Sequence, residues 1–464
     1  MNRLLYCAVL TATLAGCAST TSGPISELQL VPPATWSVPL TQPGDAQPLA
    51  NWWVRFGDPL LPGLIEHAEK ASPTLDQVTA RLRQARASAG IAQASRLPQL
   101  NGGVSSSRSR SDDVYSSTSS GAFDASWELD LFGGKQHANE AATARADAAR
   151  FNWHQARVSL AAEVASTYFS LRQCRAAAVI TGDDVASRRV TLSLVRAKVE
   201  AGAAARSELD RAEASTAEGE SSLAEQLGAC ARIEHQLAAL TALPTAELKA
   251  QLGATGRLPV VTSEGFSLLP AQVLAQRPDL AAARQSVLAA GADIGVAKAD
   301  LLPSMTLIGS LGVNTSSSRG VSLTSHGWSF GPSINLPIFD GGRRKANLEV
   351  AAAGYDEAVA TWRQSVLVAV QEVEDALSRV ATAQARWDAA SLAASRYDSY
   401  LQATQVRFKE GAASLLELED ARRTALSARA TRLALVLEHA QARVALYKSA
   451  GGGWADSTVS TTQQ

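Results

Sequence analysis

The chain has 464 residues, 43 basic against 44 acidic side chains and only 5% aromatic residues. That balance excludes a nucleic-acid binder, which carries a concentrated basic excess, and no stretch beyond the first 16 residues is apolar enough for a transmembrane helix. A mature form that spans a bilayer must do so as a closed β-barrel. Alanine and leucine recurring beside Arg, Glu and Gln favour long helices in close contact.

Arg3 and the apolar run Leu4–Ala12 read as a secretion signal over residues 1–16. Leu14-Ala15-Gly16-Cys17 has the form of a bacterial lipobox, with Cys17 the first mature residue and its thiol the acceptor of covalent lipid such as palmitate. Ala18, rather than Asp, directs such a lipoprotein to the outer membrane. The alternative is an ordinary signal with an incidental cysteine. Residues 17–50, rich in Thr, Ser, Pro and Gln, form an extended tether.

The body then repeats itself, over 51–262 and 263–450, before a flexible tail at 451–464. Ser72-Pro73-Thr74-Leu75 opens a helical stretch that ends at Leu97-Pro98; Arg277-Pro278-Asp279-Leu280 opens its counterpart, ending at Leu302-Pro303. Period-two alternation follows in each half. Phe123, Ala125, Trp127, Leu129 and Leu131 alternate with Asp124, Ser126, Glu128 and Asp130. Met305, Leu307, Leu311 and Val313, then Trp328, Phe330, Ile334 and Leu336, do the same in the second half. With a weaker strand over Leu100–Arg108, this predicts two strands per half and four in all.

Leu131-Phe132-Gly133-Gly134-Lys135 matches Ile338-Phe339-Asp340-Gly341-Gly342-Arg343, and each double glycine reads as a strand-to-helix turn. The second lacks the spacing and Lys-Ser/Thr of a phosphate-binding loop. Long proline-free helices follow over 135–200 and 343–409, each on the order of 100 Å. They close on Gly202 and Gly411, the tips of two antiparallel hairpins. Cys174 and Cys230 are equidistant from Gly202, so the hairpin brings them to one height. A disulfide or two unrelated buried thiols would both fit.

At this point the residues resemble a known family. Asn51-Trp52-Trp53-Val54-Arg55-Phe56-Gly57-Asp58-Pro59, Gln276-Arg277-Pro278-Asp279-Leu280 and Leu336-Pro337-Ile338-Phe339-Asp340-Gly341-Gly342-Arg343 resemble, in order and spacing over about 50–450, the TolC/OprM superfamily of outer-membrane efflux proteins, in particular its lipoprotein (NodT-like) branch. The resemblance implies a mixed α/β membrane protein. A trimeric 12-stranded β-barrel, four strands per chain, would continue into a long antiparallel α-helical periplasmic tunnel. It also implies a homotrimer that meets a periplasmic adaptor (membrane fusion) protein and an inner-membrane, proton-driven pump. The chain would be the passive exit duct for drugs or other small molecules, with no cofactor beyond the lipid on Cys17.

The same resemblance places a pore constriction at Phe408, Glu417 and Asp420, where threefold symmetry would make carboxylate rings; a solvated helix face is the bland alternative. The gate arginine that some members carry after the tip glycine is Ala413 here. Gly202, Ala203, Gly411 and Ala412 are the expected adaptor contacts. Glu208 and Asp210 read as a solvated surface, and Trp52, Trp53 and Phe56 as packing of the entry segment. Trp127 and Trp328 suit an interfacial aromatic girdle. Six scattered histidines, and no nucleophile elbow or dinucleotide loop, leave an enzyme a poor second. The stronger rival is a lipid-anchored helical scaffold without a pore.

Overall fold

A computed structural model describes residues 35–37, 49–112, 114–253 and 270–453. Cys17, most of the expected tether and the tail beyond 453 lie outside these residues. A 3-10 turn, Leu49–Phe56, leads into α1 (Leu60–Ala71) and α2 (Pro73–Ala94). Strands β1 (Gln99–Ser111) and β2 (Val114–Leu129) follow, then α3 (Gly134–Glu200), α4 (Arg206–Thr241) and the short α5 (Thr245–Leu252). The second half runs through α6 (Pro270–Gln276), α7 (Pro278–Ala299), β3 (Ser304–Ser318), β4 (Val321–Asn335), α8 (Arg343–Lys409) and α9 (Leu415–Ser449). The repeat is thus visible element by element: α2 and α7 both have 22 residues, and α3 and α8 both have 67.

The chain divides into two units. The first holds the described residues within 80–150 and 282–364, including the whole sheet; the second holds those within 35–79, 151–281 and 365–453. In the first unit the strands pair antiparallel in the order β1-β2-β3-β4, so β1 and β4 are open edges. The register sets one parity apart. Leu100, Val104, Phe123, Trp127, Leu311, Val313, Trp328, Phe330 and Ile334 share a face, and Trp328 and Phe330 are 79% and 72% exposed. The opposite face carries Ser105, Ser120, Asp124, Ser126, Thr306, Ser310, Asn314, Ser329 and Ser333, interrupted by Ile308 and Leu323. A sheet that exposes aromatics on one side and hydroxyls on the other is built for lipid outside and water inside.

Sharp turns connect the strands to the long helices. Gly133, Gly341 and Gly342 have φ of 77°, 66° and 90°, a conformation that disfavours a side chain. Asp130 accepts hydrogen bonds from the Lys135 and Gln136 N–H groups at 3.0 and 2.7 Å; Asp340 accepts those of Gly342 and Arg344, both at 3.1 Å. Each aspartate so satisfies free amides at a helix start. Both double-glycine segments are capped strand-to-helix turns.

In the second unit the entry segment packs as expected. The tilted rings of Trp53 and Tyr447 pack with centroids 4.5 Å apart and those of Phe56 and Phe169 4.8 Å apart, within a core that includes Leu61, Leu64, Val164, Leu237, Leu248 and Val373. Asp58 accepts the Tyr168 hydroxyl and lies 3.5 Å from Arg172. Burial, then the Asp58 contact, push the Tyr168 phenol well above its ordinary range. Arg277, nearly buried, binds Asp279 and Glu372, both at 2.6 Å, and the Ser449 carbonyl at 2.9 Å. Two of the motifs that carried the resemblance, at 51–59 and 276–280, are therefore clasps of this core; the third, at 336–343, is the capped turn before α8. The body also extends past residue 450: a Cβ on Gly451 would meet the Gln276 carbonyl oxygen at 2.7 Å, so the start of the expected flexible tail is packed.

Candidate functional site

Both hairpin tips close in the same way. The Ala203 N–H donates to the Lys198 carbonyl (2.7 Å) and the Gly202 N–H to that of Val199 (3.0 Å), with Gly202 at φ 70°. Ala412 donates to Arg407 (2.7 Å) and Gly411 to Phe408 (3.2 Å), with Gly411 at φ 75°. These are paired Schellman closures, which demand a left-handed residue that glycine alone adopts without penalty. Gly202, Ala203, Gly411 and Ala412 are all exposed, and the next helices start within a few residues.

Below the tips Val195, Leu209, Ala212, Leu401, Phe408, Leu415, Leu418, Ala421 and Ala425 form one cluster from α3, α4, α8 and α9. Phe408 is only 6% exposed, and the Lys198 ammonium lies 4.8 Å from its ring centroid. That corrects the expectation of Phe408 as a constriction residue: a ring buried within one chain cannot line a lumen. Glu417 closes a capping box, its carboxylate accepting the Ser414 N–H at 2.7 Å and hydroxyl at 2.9 Å. Those bonds, with Arg407 nearby, hold its carboxyl below the usual carboxylate range. Asp420 is half exposed and pairs with Arg423 at 2.6 Å. Arg206 and Asp210 form an exposed pair at 3.3 Å, and Glu208 is exposed. Ala413 packs against the tip cluster.

Sequence reasoning missed the polar centre of this region. Arg422, 1% exposed, donates to Glu419 (2.5 Å), Thr191 (2.9 Å) and Ser187 (3.3 Å), and its Nε lies 3.4 Å from Asp184. Arg188 binds Asp184 at 2.6 Å, contacts Ser215 and lies 3.5 Å from Glu419. Two guanidinia and two carboxylates thus offset one another between α3 and α9, with Ser215 of α4 accepting from Arg188. Their spacings, Asp184/Arg188 and Glu419/Arg422, are the available signal: each puts opposite charges on one helix face.

Further along the first hairpin the structure joins Cys174 to Cys230 in a disulfide, with Cα atoms 5.5 Å apart. It closes a loop with a sequence separation of 56, for which chain entropy supplies about 4 kcal/mol. Cys174→Ala with Cys230→Ala is expected to lower the thermal midpoint of the helical region. Unchanged melting would refute a bracing role.

A sheet with open edges and a lipid-compatible outer face must be closed by other copies, because hydrocarbon tolerates no unpaired strand edge. Together with the long helical hairpins this defines a channel-forming outer-membrane protein whose barrel strands come from several chains. The outer membrane efflux protein family model matches residues 64–243 and 269–452, and the chain belongs to that family. It is 33% identical to the pyoverdine export outer membrane protein OpmQ of Pseudomonas putida, over 92% of this chain and 93% of that protein. It is 32% identical to nodulation protein T of Rhizobium leguminosarum bv. viciae, over 90% and 87% respectively. The solved outer-membrane channel OprN superposes with a TM-score of 0.81 at 31% identity, covering 92% of this chain and 98% of that one. The chain is accordingly the outer-membrane component of a tripartite efflux system of Gram-negative bacteria. It is a trimer whose barrel continues into a periplasmic helical tunnel, and it works with an adaptor and an inner-membrane pump.

Proposed function

We propose that this channel is the exit duct for small organic molecules moved by a proton-driven pump, and that Asp420 and Glu417 form its acidic periplasmic entrance. The observation that carries the reading is the half-exposed Asp420 carboxylate, one turn from the capped Glu417 and just beyond the tip. In a trimer each residue occurs three times, and a ring of carboxylates draws cations and repels anions. Phe408 supports that entrance from within the chain rather than lining it. The chain performs no chemistry on its cargo. The relative named for pyoverdine export sets a precedent for an organic cargo, and two methionines in the whole sequence give little thiophilic ligand for soft metal ions. Cys17 carries the lipid anchor, and the exposed tips at Gly202, Ala203, Gly411 and Ala412 meet the adaptor through close packing of small residues.

Deleting the gene tests the cargo class. Susceptibility to organic cations is expected to rise several-fold, with copper and silver tolerance unchanged; the reverse pattern would refute the reading. In planar bilayers Asp420→Asn is expected to move the reversal potential in a salt gradient toward zero. An unchanged potential would remove Asp420 from the entrance. Labelled palmitate is expected to enter the wild type and not Cys17→Ala.

A further inference from the structure

The outward face of the sheet changes character along its length in a way that efflux does not require. Ladder by ladder, the rungs from Leu129/Met305/Ile334 through Leu100/Ala125/Gly309/Phe330 to Val104/Gly121/Val313/His326 are dominated by apolar and aromatic groups. The next rung toward the hairpin ends is hydroxyl only: Ser106, Ser119, Thr315 and Thr324. Its side chains pair at 3.0 Å across β1–β2 and 3.0 Å across β3–β4. Beyond it, on the same face, stand Arg108 and Arg110. Both are exposed, and their guanidinium carbons lie 5.1 and 5.4 Å from the ring centroid of Tyr115.

We propose that Arg108, Arg110 and this hydroxyl rung bind the phosphate groups of the glycolipid that forms the outer leaflet. The inference rests on the outer-membrane placement of the family, in which the helical tunnel is periplasmic and the hairpin ends therefore face outward. From Val104 to Arg108 is on the order of 13 Å along a strand. At a barrel tilt near 40° that is roughly 10 Å of height above the apolar belt, the level of lipid headgroups. Arg108 and Arg110 bring two positive charges to that level, and a phosphate is the anion whose oxygens match the paired donors of a guanidinium. The hydroxyl rung beneath offers both donors and acceptors to sugar oxygens. Closing the barrel uses the edges of β1 and β4, so trimerisation leaves this face uncovered, and the trimer repeats the site three times. Asp112 follows at the turn, so the attraction is local to the arginine pair, not a property of the whole hairpin.

The test uses the detergent-purified mature trimer in native mass spectrometry, with diphosphoryl lipid A, its dephosphorylated counterpart and inorganic phosphate as probes. Wild type is expected to retain diphosphoryl lipid A about tenfold better than the dephosphorylated lipid. R108Q/R110Q should lose about that factor, and R108K/R110K, which keeps the charge but not the paired donors, should recover only part of it. Equal retention of the two lipids by the wild type would overturn the proposal even if the glutamine variant failed to assemble. Unchanged retention by an assembled glutamine variant would overturn it too, and displacement by equimolar inorganic phosphate would mark a free-anion site instead. Trimer mobility and bilayer conductance on the same preparation report the channel separately, so its failure is distinguishable from loss of lipid binding.

Discussion

Arg422→Ala is expected to loosen the hairpin tips while leaving the barrel strands as protected as before. The substitution leaves Asp184 and Glu419, both mostly buried, short of one cation. Breaking a buried pair from one side costs about 3–5 kcal/mol, because the remaining charge stays desolvated. Arg188 still contacts both carboxylates, which places the effect near the lower end. At 1.4 kcal/mol per factor of ten, tip amides of α3 and α9 should exchange hydrogen on the order of 100-fold faster. Mass spectrometry of exchanged peptides reads this directly, and unchanged exchange at 184–195 and 415–425 would refute the bracing role. Arg422→Met should be as damaging, since volume without charge does not help. Asp184→Asn with Arg422→Met removes one charge of each sign and should recover much of the protection. Lysine should rescue only in part: a single ammonium cannot reach Glu419, Thr191 and Ser187 in the planar fork that Arg422 uses.

The network also separates two kinds of charge at the tips. Arg422, Arg188, Asp184 and Glu419 neutralise one another inside the chain, so they add little field at its surface. Asp420 lies outside that balance; Arg423, its partner three residues on, is more exposed still. Screening by solvent makes such an exposed pair weak. The field at the proposed entrance therefore depends on Asp420 and on Glu417, which the Ser414 bonds keep ionised. Burial of the first set is what lets the second set act alone.

How far the sequence disclosed this arrangement depends on the kind of signal. The double glycines, the prolines that open α2 and α7, and the proline-free runs are local, and the structure places elements where they predict. The strand parity was equally legible, because a period of two survives any packing. Phe408 was misassigned although a local signal existed. Leu401, Thr404 and Phe408 follow three-and-four spacing, a stripe directed at a core, and all three are buried. The capping box was likewise written in Ser414-Leu415-Leu416-Glu417. Arg422 was not legible by such means: Glu419 and Arg422 look like a surface pair until α3 brings Asp184 and Thr191 against them. Only tertiary contact distinguishes those cases.

Phe330→Arg should abolish assembly, whereas Ser329→Arg, one residue away, should be tolerated. Phe330 occupies the middle of the apolar rungs, beside Gly309 and level with Leu100 and Ala125, and is 72% exposed within one chain. An arginine on the lipid face near the bilayer midplane costs about 2–4 kcal/mol, so three symmetric copies cost roughly 6–12 kcal/mol per trimer. The nearest hydroxyl rung along β4 is at Thr324, six residues on and beyond the reach of a snorkelling side chain. Ser329 has the opposite parity; its hydroxyl meets Ser310 at 2.8 Å on the hydroxylated face. Arginine there costs that one exposed hydrogen bond and remains in water. Because β4 is an edge strand, both variants perturb the same inter-chain seam, and only the face differs. Heat-modifiable trimers in outer-membrane fractions are therefore expected for Ser329→Arg and absent for Phe330→Arg. Equal assembly of the two would mean that parity does not separate lipid from lumen. The assembled Ser329→Arg channel should also conduct anions better than the wild type, since three guanidinia then line its barrel.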